Sequence, residues 1–271
     1  MPRSGGSSIA GSAPPDRSAV AAPKGFADHF SAFSPDYAKY RPDYPASLFA
    51  YLAGLAPARR SAWDCATGSG QAAVGLASHF DRVIATDASS SQLASARPDP
   101  RVEYRVARAE DSGLPEQSVD LVTTAQALHW FDRPRFWSEV ERVLVPRGAV
   151  AVWCYDLLRA GEEVDAVIGR LYHDIVGPYW PPERALTEQR YRTIDFPFEE
   201  VEPAPFRMEV AWTLTDFLGY LRTWSAARRY ADARGEDPIG LVADDLSRAW
   251  GPPGRARTIV WDLALRVGRK T

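Results

Sequence analysis

Apolar positions along the chain follow two alternating periods. Leu48, Tyr51, Leu52 and Leu55 recur at helical spacing and predict a helix from Ala46 to Leu55. A short strand through Ala62-Trp63-Asp64-Cys65 runs into a Gly-rich turn, Thr67 to Gly70. An amphipathic helix and a second strand, ending on Asp87, follow. Ser89 to Ala96 reads as a helix and Val102 to Val106 as a third strand. The polar stretch from Ala109 to Gln117, broken by Gly113 and Pro115, is a loop. Val119 to Ala125 is a short buried fourth strand. Pro134 to Leu144 is a helix with Phe136, Val140 and Leu144 on one face, and Ala149 to Cys154 is a fifth strand. Strands alternating with helices in this way predict an α/β fold with a parallel, doubly wound sheet.

After Cys154 the rhythm changes. Val164, Val167, Ile168, Leu171 and Ile175 form one stripe, predicting a helix over Glu162 to Val176 that stops at Pro178, Pro181 and Pro182. Phe206 to Leu214 alternates as a strand. Thr215-Asp216 reads as the cap of a helix carrying Phe217, Leu218, Tyr220, Leu221 and Trp224. Leu241 to Trp250 is a further helix. In Arg257 to Val267, Ile259, Trp261, Leu263, Leu265 and Val267 share one face of a late strand.

Composition narrows the class. The chain has 271 residues, 45% hydrophobic and 25% charged, with net charge -3. That is ordinary globular composition, and it lacks the basic excess of a nucleic-acid binder, so no nucleic-acid partner is expected. No apolar run approaches the ~18 residues of a membrane span, and no continuous apolar region marks a signal peptide. A cytoplasmic protein with no membrane partner is the default expectation. Cys65 and Cys154 fall in predicted core strands and read as small buried hydrophobes. The four histidines show no metal-site spacing, so no metal is expected. Residues 1–24, rich in Ser, Gly, Ala and Pro, read as a disordered leader, and 25–45 as an aromatic, proline-punctuated cover. The regions 46–156 and 206–271 form the expected core. The regions 157–205 and 215–255 form the expected helical cap, where substrate is chosen.

The chemistry centres on the first turn. Gly68-x-Gly70-x-x-Ala73 fits a dinucleotide turn, with Asp87 as the acid closing the next strand. Asp64, four residues before Gly68, separates two readings. A carboxylate there suits the ammonium of a bound amino acid and is electrostatically wrong beside a pyrophosphate. Asp87 suits a ribose, since a carboxylate accepts two hydroxyl bonds; it could equally cap the helix that follows. Arg41 is the candidate for a ligand carboxylate, through a charge-assisted fork, or is a solvated arginine before a proline turn. Tyr37 and Tyr40 could close over the ligand. Gln126 sits at the mouth of the fourth strand. His129 is either a general base or an aromatic-packed histidine beside Trp130 and Phe131.

Asp64-x-Ala66-x-Gly68-x-Gly70 resembles the motif of class I S-adenosylmethionine-dependent methyltransferases, with Ala66 where the first glycine usually stands. The segments Arg108-Ala109-Glu110, Leu114-Pro115 and Ser118 to Val122 are similar to that family's adenine-side loop and fourth strand. Ala125 to Asp132, after that strand, and Tyr40-Arg41-Pro42-x-Tyr44-Pro45 resemble the subgroup that includes trans-aconitate methyltransferase-like proteins. The resemblance implies a Rossmann-like, mostly parallel seven-stranded sheet with an antiparallel last strand and a helical cap. It implies S-adenosyl-L-methionine as cofactor, held by Asp64, Ala66, Gly68, Gly70, Asp87, Ala109, Glu110, Gln126, Tyr40 and Arg41. Relatives often carry Asp where this chain has Arg108, which shifts the adenine contact to Glu110 or to backbone groups. Ala66 in a glycine position implies a negative φ there, or a slightly shifted turn.

The implied activity is methyl transfer to a small molecule, a carboxylate or another oxygen nucleophile among the candidates. In-line displacement needs alignment and exclusion of water more than acid–base groups. An alcohol or amine acceptor would need proton removal, which would promote His129. Two other readings stand beside it: an NAD(P)-dependent oxidoreductase using the same turn, and a non-catalytic S-adenosylmethionine-binding protein.

Overall fold

The computed structural model describes residues 40–271. The leader, His29, Tyr37 and the part of the cover segment before Tyr40 lie outside the described residues. Among these residues no helix is long and apolar enough to cross a membrane.

The first half follows the predicted alternation. Helix α1 (Ala46–Leu55) precedes β1 (Ser61–Cys65), α2 (Gln71–Ala77), β2 (Arg82–Asp87), α3 (Ser90–Ala94), β3 (Val102–Val106), β4 (Val119–Ala125), α4 (Arg133–Val143) and β5 (Leu144–Tyr155). Strands β1 to β5 pair in parallel in the order β3-β2-β1-β4-β5. The chain builds outward from β1 to β3, then returns to the other side of β1. The crevice at the carboxyl ends of β1 and β4 is therefore the switch point, where open α/β sheets bind ligands.

Side-chain alternation along β5 shows why this sheet is covered on both faces. Val150, Val152 and Cys154 enter one apolar core with Trp63, Val122, Phe136 and Val140; Ala149, Ala151 and Trp153 enter the other with Leu48, Leu52 and Leu76. With period two, no residue from Gly148 to Tyr155 faces water, which accounts for the continuous apolar run there. Helix α1 lies close on α2 because Gly75 has no Cβ; one there would overlap the Phe49 ring.

The second half adds α5 (Glu162–Arg170), α6 (Arg184–Glu188), β6 (Glu199–Val201), β7 (Phe206–Trp212), α7 (Leu214–Arg222), α8 (Ser225–Arg234), α9 (Ala243–Trp250) and β8 (Arg257–Arg269). Strand β8 pairs antiparallel with β5, and β6 and β7 pair antiparallel with its other edge. The sheet has eight strands rather than the expected seven. The eighth is the three-residue β6, too short to show a period in sequence. Val164, Ile168, Leu171, Phe217, Leu221 and Trp250 join the same core as Trp153 and Trp261, so the helical segments over this face share the sheet's packing.

Three local expectations change. The stripe over Glu162 to Val176 is α-helical only to Arg170 and then widens into a π-helical stretch, Leu171–Ile175. The cap of α7 is Thr213, not Thr215: its hydroxyl accepts the Asp216 N–H while Asp216 accepts the Thr213 N–H. That is the reciprocal capping box, found two residues earlier than the sequence suggests. Helix α9 begins at Ala243, after a 3₁₀ turn over Gly240–Val242.

Candidate functional site

The turn after β1 is built on left-handed backbone. Ala66, Gly68 and Gly70 have φ of 53°, 56° and 81°. The expectation of a negative φ at Ala66 is corrected: alanine takes the glycine conformation here, at a cost of about 1–2 kcal/mol. Gly70 has a second constraint, since a Cβ there would overlap the Tyr104 hydroxyl. Asp87 ties the turn to β2. One oxygen accepts the Gly68 N–H at 2.9 Å and the other the Ser89 N–H at 2.9 Å. It thus serves the turn and the entry to α3 together, and a carboxylate has lone pairs for more than two donors.

Asp64 is buried at the end of β1. Its two oxygens accept the hydroxyls of Thr67 at 2.6 Å and Thr123 at 2.8 Å. Burial pushes its pKa up to about 6 against those hydroxyls, and nearby Asp87 adds to the rise. A bound cation would reverse that shift.

The loop after β3 is held by Glu139 of α4, which accepts the Ser112 N–H at 2.9 Å and hydroxyl at 2.5 Å. This sets Ala109 and Glu110 at the cavity. Glu110 accepts the Asp132 N–H at 3.0 Å and pairs with Arg108 at 3.2 Å, so the acid sits beside the arginine that departs from the family pattern.

These groups line one continuous cavity of about 560 Å³, within the range of small-molecule and cofactor sites. It is lined by Asp64, Ala66, Gly68, Asp87, Ala109, Glu110, Gln126, Arg41 and His129. Gly70 supports the turn from behind. Tyr40 is not among the lining residues; its ring lies against Gly219 of α7. The sequence reading missed Tyr44, Thr67, Tyr155 and Glu183, which also line the cavity. Thr67 lies within the glycine motif and was findable there. Tyr155 and Glu183 lie outside any motif and carried no local signal.

The far end, at the mouths of β4 and β5, is built differently. Arg41 donates to the Tyr155 hydroxyl at 2.8 Å and stacks over the Tyr220 ring. Gln126, at φ 54°, donates its amide N–H to the Tyr155 carbonyl at 2.9 Å. Its Oε1 is buried with no hydrogen-bond partner. A buried acceptor left unpaired costs about 1–3 kcal/mol unless a ligand donor meets it. The Nδ1 atom of His129 is 2.8 Å from the Tyr191 hydroxyl. Burial, with Arg184 adding, lowers the His129 pKa to about 3, so the ring is neutral at pH 7.

The residues present fit an amino-acid-bearing nucleoside. Asp64 and the unpaired Gln126 Oε1 are acceptors suited to an ammonium, Arg41 is a cation suited to a carboxylate, and Asp87 is an acceptor suited to a ribose. An open α/β sheet with such a cleft at its switch point defines an enzyme of the nucleotide-cofactor class. A methyltransferase-domain family model matches residues 63–152. A methyltransferase-named protein of Dictyostelium discoideum is 33% identical over 237 residues, covering 86% of this chain and 90% of that protein. A solved structure from Anaeromyxobacter dehalogenans, assigned as a type II methyltransferase, is 49% identical with TM-score 0.80, covering 84% of this chain and 97% of its own. A Saccharomyces cerevisiae protein named as an S-adenosylmethionine-dependent methyltransferase is 33% identical over 131 residues, 45% of each chain. The chain belongs to the class I S-adenosylmethionine-dependent methyltransferases. It is an enzyme whose cofactor is S-adenosyl-L-methionine, and this overturns the oxidoreductase and non-catalytic alternatives.

Proposed function

We propose that this methyltransferase acts on a small molecule that offers an oxygen nucleophile. The observation that carries the reading is the division of one cavity into two ends. The glycine turn, Asp87 and the Ala109 loop form one end, and Arg41, Tyr155, Gln126 and His129 the other. The similarity of Tyr40 to Pro45 and of Gln126 to Asp132 to the trans-aconitate methyltransferase-like subgroup also supports it. A net charge of -3 supports the absence of a nucleic-acid partner.

In this reading Asp64 and the Gln126 Oε1 hold the cofactor's ammonium, Arg41 holds its carboxylate, and Asp87 accepts the ribose hydroxyls. The backbone of Ala66 and Gly68 allows close approach, Gly70 shapes the turn behind them, and Ala109 and Glu110 border the adenine. Tyr40 acts from outside the cavity, by packing on α7. When bound, S-adenosylmethionine supplies a methyl group already activated by a positive sulfur. The protein's own residues then align the acceptor with that methyl and keep bulk water away. His129, neutral and buried, is a poor general base at pH 7. An acceptor that arrives without a proton to lose therefore suits this site best.

The test is incubation of the purified chain with S-adenosylmethionine and a panel of small acids, phenols, alcohols and amines. Release of S-adenosylhomocysteine is followed, with mass detection of methylated products. Methylation of oxygen in a small molecule is expected. Turnover confined to amines, protein or nucleic acid would overturn the reading.

A further inference from the structure

Tyr191 lies outside the cavity and outside every motif in the sequence. It is fully buried, and its hydroxyl meets Nδ1 of His129 at 2.8 Å, across 62 residues of chain. The backbone is bent to bring it there. Arg190 and Tyr191 are consecutive non-glycine residues at φ 57° and 59°, each costing about 1–2 kcal/mol. The Tyr191 N–H donates to the Leu186 carbonyl at 2.9 Å, closing the reverse turn after α6. Arg266 of β8 donates to the Tyr191 carbonyl at 2.9 Å and to the Ile194 carbonyl at 2.5 Å. Backbone strain clamped from two sides is the arrangement of a side chain whose position matters.

Proton accounting around Nδ1 settles what that side chain does. Two hydroxyls converge on the atom, Tyr191 at 2.8 Å and the buried Thr187 at 3.5 Å. The nearer hydroxyl, that of Tyr191, has one proton to place, and the single in-plane lone pair of Nδ1 is the acceptor it meets. Were Nδ1 itself protonated, the Tyr191 hydroxyl proton would lose that acceptor inside the core. Nδ1 is therefore the acceptor, and the single proton of the neutral ring sits on Nε2. His129 lines the cavity, and Nε2 is the ring nitrogen not engaged by Tyr191 or Thr187. Burial raises the Tyr191 pKa well above its usual value, so the tyrosine keeps the proton this arrangement requires.

We propose that Tyr191 is a positioning residue that holds His129 as its Nε2–H tautomer, so that the imidazole donates a hydrogen bond to an already ionised acceptor, a carboxylate. The proposal rests on the proposed transfer to a small-molecule oxygen, with His129 lining the cavity beside the cofactor contacts Arg41 and Gln126, and it names the acceptor class. A carboxylate oxygen held by Nε2–H attacks the methyl carbon. The O–CH₃ bond forms as the C–S bond breaks, and the electron pair of the broken bond goes to sulfur. No proton is removed, so no base is required. The products are a methyl ester and S-adenosylhomocysteine.

The first experiment needs neither cofactor nor acceptor. Long-range ¹H–¹⁵N spectra of the full chain labelled with ¹⁵N-histidine at pH 7 report the tautomer of each ring, and His129→Gln identifies the His129 signals by their loss. A bare Nδ1 with a protonated Nε2 is expected, and Tyr191→Phe should move those signals toward the other tautomer. An Nδ1–H tautomer or an imidazolium in the wild-type chain would overturn the proposal. The second experiment measures S-adenosylhomocysteine release with a panel of mono- and dicarboxylic acids. A side-chain amide can donate in place of Nε2–H, so His129→Gln should retain activity within about tenfold, while His129→Ala loses about 100-fold, as expected for a hydrogen bond to a charged group. Tyr191→Phe should lower kcat and leave S-adenosylhomocysteine affinity by calorimetry unchanged. Equal loss in His129→Gln and His129→Ala would indicate a base and overturn the proposal. Turnover of alcohols or phenols with no acid methylated would overturn the carboxylate assignment alone, while failure of the proposed function itself would show as turnover of amines or macromolecules only.

Discussion

Two buried titratable groups face the same cavity, and burial has opposite consequences for them. At the glycine-turn end, Asp64 has its pKa pushed up to about 6, chiefly by desolvation. At the far end, desolvation pushes His129 down to about 3. Desolvation disfavours the charged form in both cases. The difference lies in what each group can meet. Asp64 is surrounded by hydroxyls and another acid, and is completed by a cation that comes with a ligand. His129 is already completed by Tyr191 and Thr187, with Arg184 opposing its protonation. One end is electrostatically incomplete without its ligand, and the other is locked neutral by the protein itself.

The largest effect on ligand binding expected from breaking this contrast is at Asp64. Asp64→Asn keeps the shape but loses the charge, and S-adenosylhomocysteine affinity should fall roughly 10- to 100-fold, the equivalent of one charge-assisted hydrogen bond. Calorimetry checks it, and unchanged affinity would remove Asp64 from the cofactor site.

A pH titration sharpens the same contrast. An ammonium needs the ionised carboxylate, so affinity is present above pH 6 and is lost as pH falls through it. Roughly tenfold weaker S-adenosylhomocysteine binding is expected at pH 5 than at pH 7. His129 should add nothing to that trend, because the folded protein keeps it neutral throughout the window.

In the ligand-free protein the two groups should pull stability in opposite directions. The folded state holds the Asp64 proton that the unfolded state releases near pH 4. This group's contribution therefore declines by about 3 kcal/mol as pH rises from 4 to about 6. For His129 the unfolded state takes up a proton near pH 6.5 that the folded state refuses until about pH 3. Its contribution is therefore present above about pH 6.5 and is lost as pH falls toward 3. Denaturant melts of Asp64→Asn and His129→Gln beside the wild-type chain, taken from pH 4 to 7, separate the two slopes. Parallel slopes in all three proteins would mean that neither group titrates differently on folding.

The smallest effect is expected at the turn itself. Ala66→Gly relieves the left-handed alanine but adds freedom to the unfolded chain. A net gain of about 0.5–1 kcal/mol should appear as a Tm rise of about 1–4 °C. A fall in Tm would mean that the Ala66 methyl contributes packing that outweighs its strain.

Legibility in the sequence followed the range of the interactions. The glycine turn, Asp64, Asp87 and the Ala109 loop were readable because the residues that shape them are close together in the chain, and strand period and turn chemistry mark them. Ala66 was misread on φ because the motif tolerates a non-glycine residue only through strain, which composition does not display. The cover-segment resemblance points Tyr40 toward the ligand, while the fold packs its ring on Gly219, far away in the chain. The short β6 and the helices α6 and α8 escaped because each is too brief or too polar to impose a period that stands out.

The sequence by itself determined the order of strands and helices through β5, the nucleotide turn and the two acids beside it, since these depend on local backbone preferences and on alternation of apolar positions. Only the tertiary structure decided that Asp64 is fully buried between Thr67 and Thr123, that the Gln126 Oε1 is unpaired, and that Tyr191 sits on Nδ1 of His129. A pKa and a tautomer are set by the atoms within a few ångströms, and at the far end of this cavity those atoms come from distant parts of the chain.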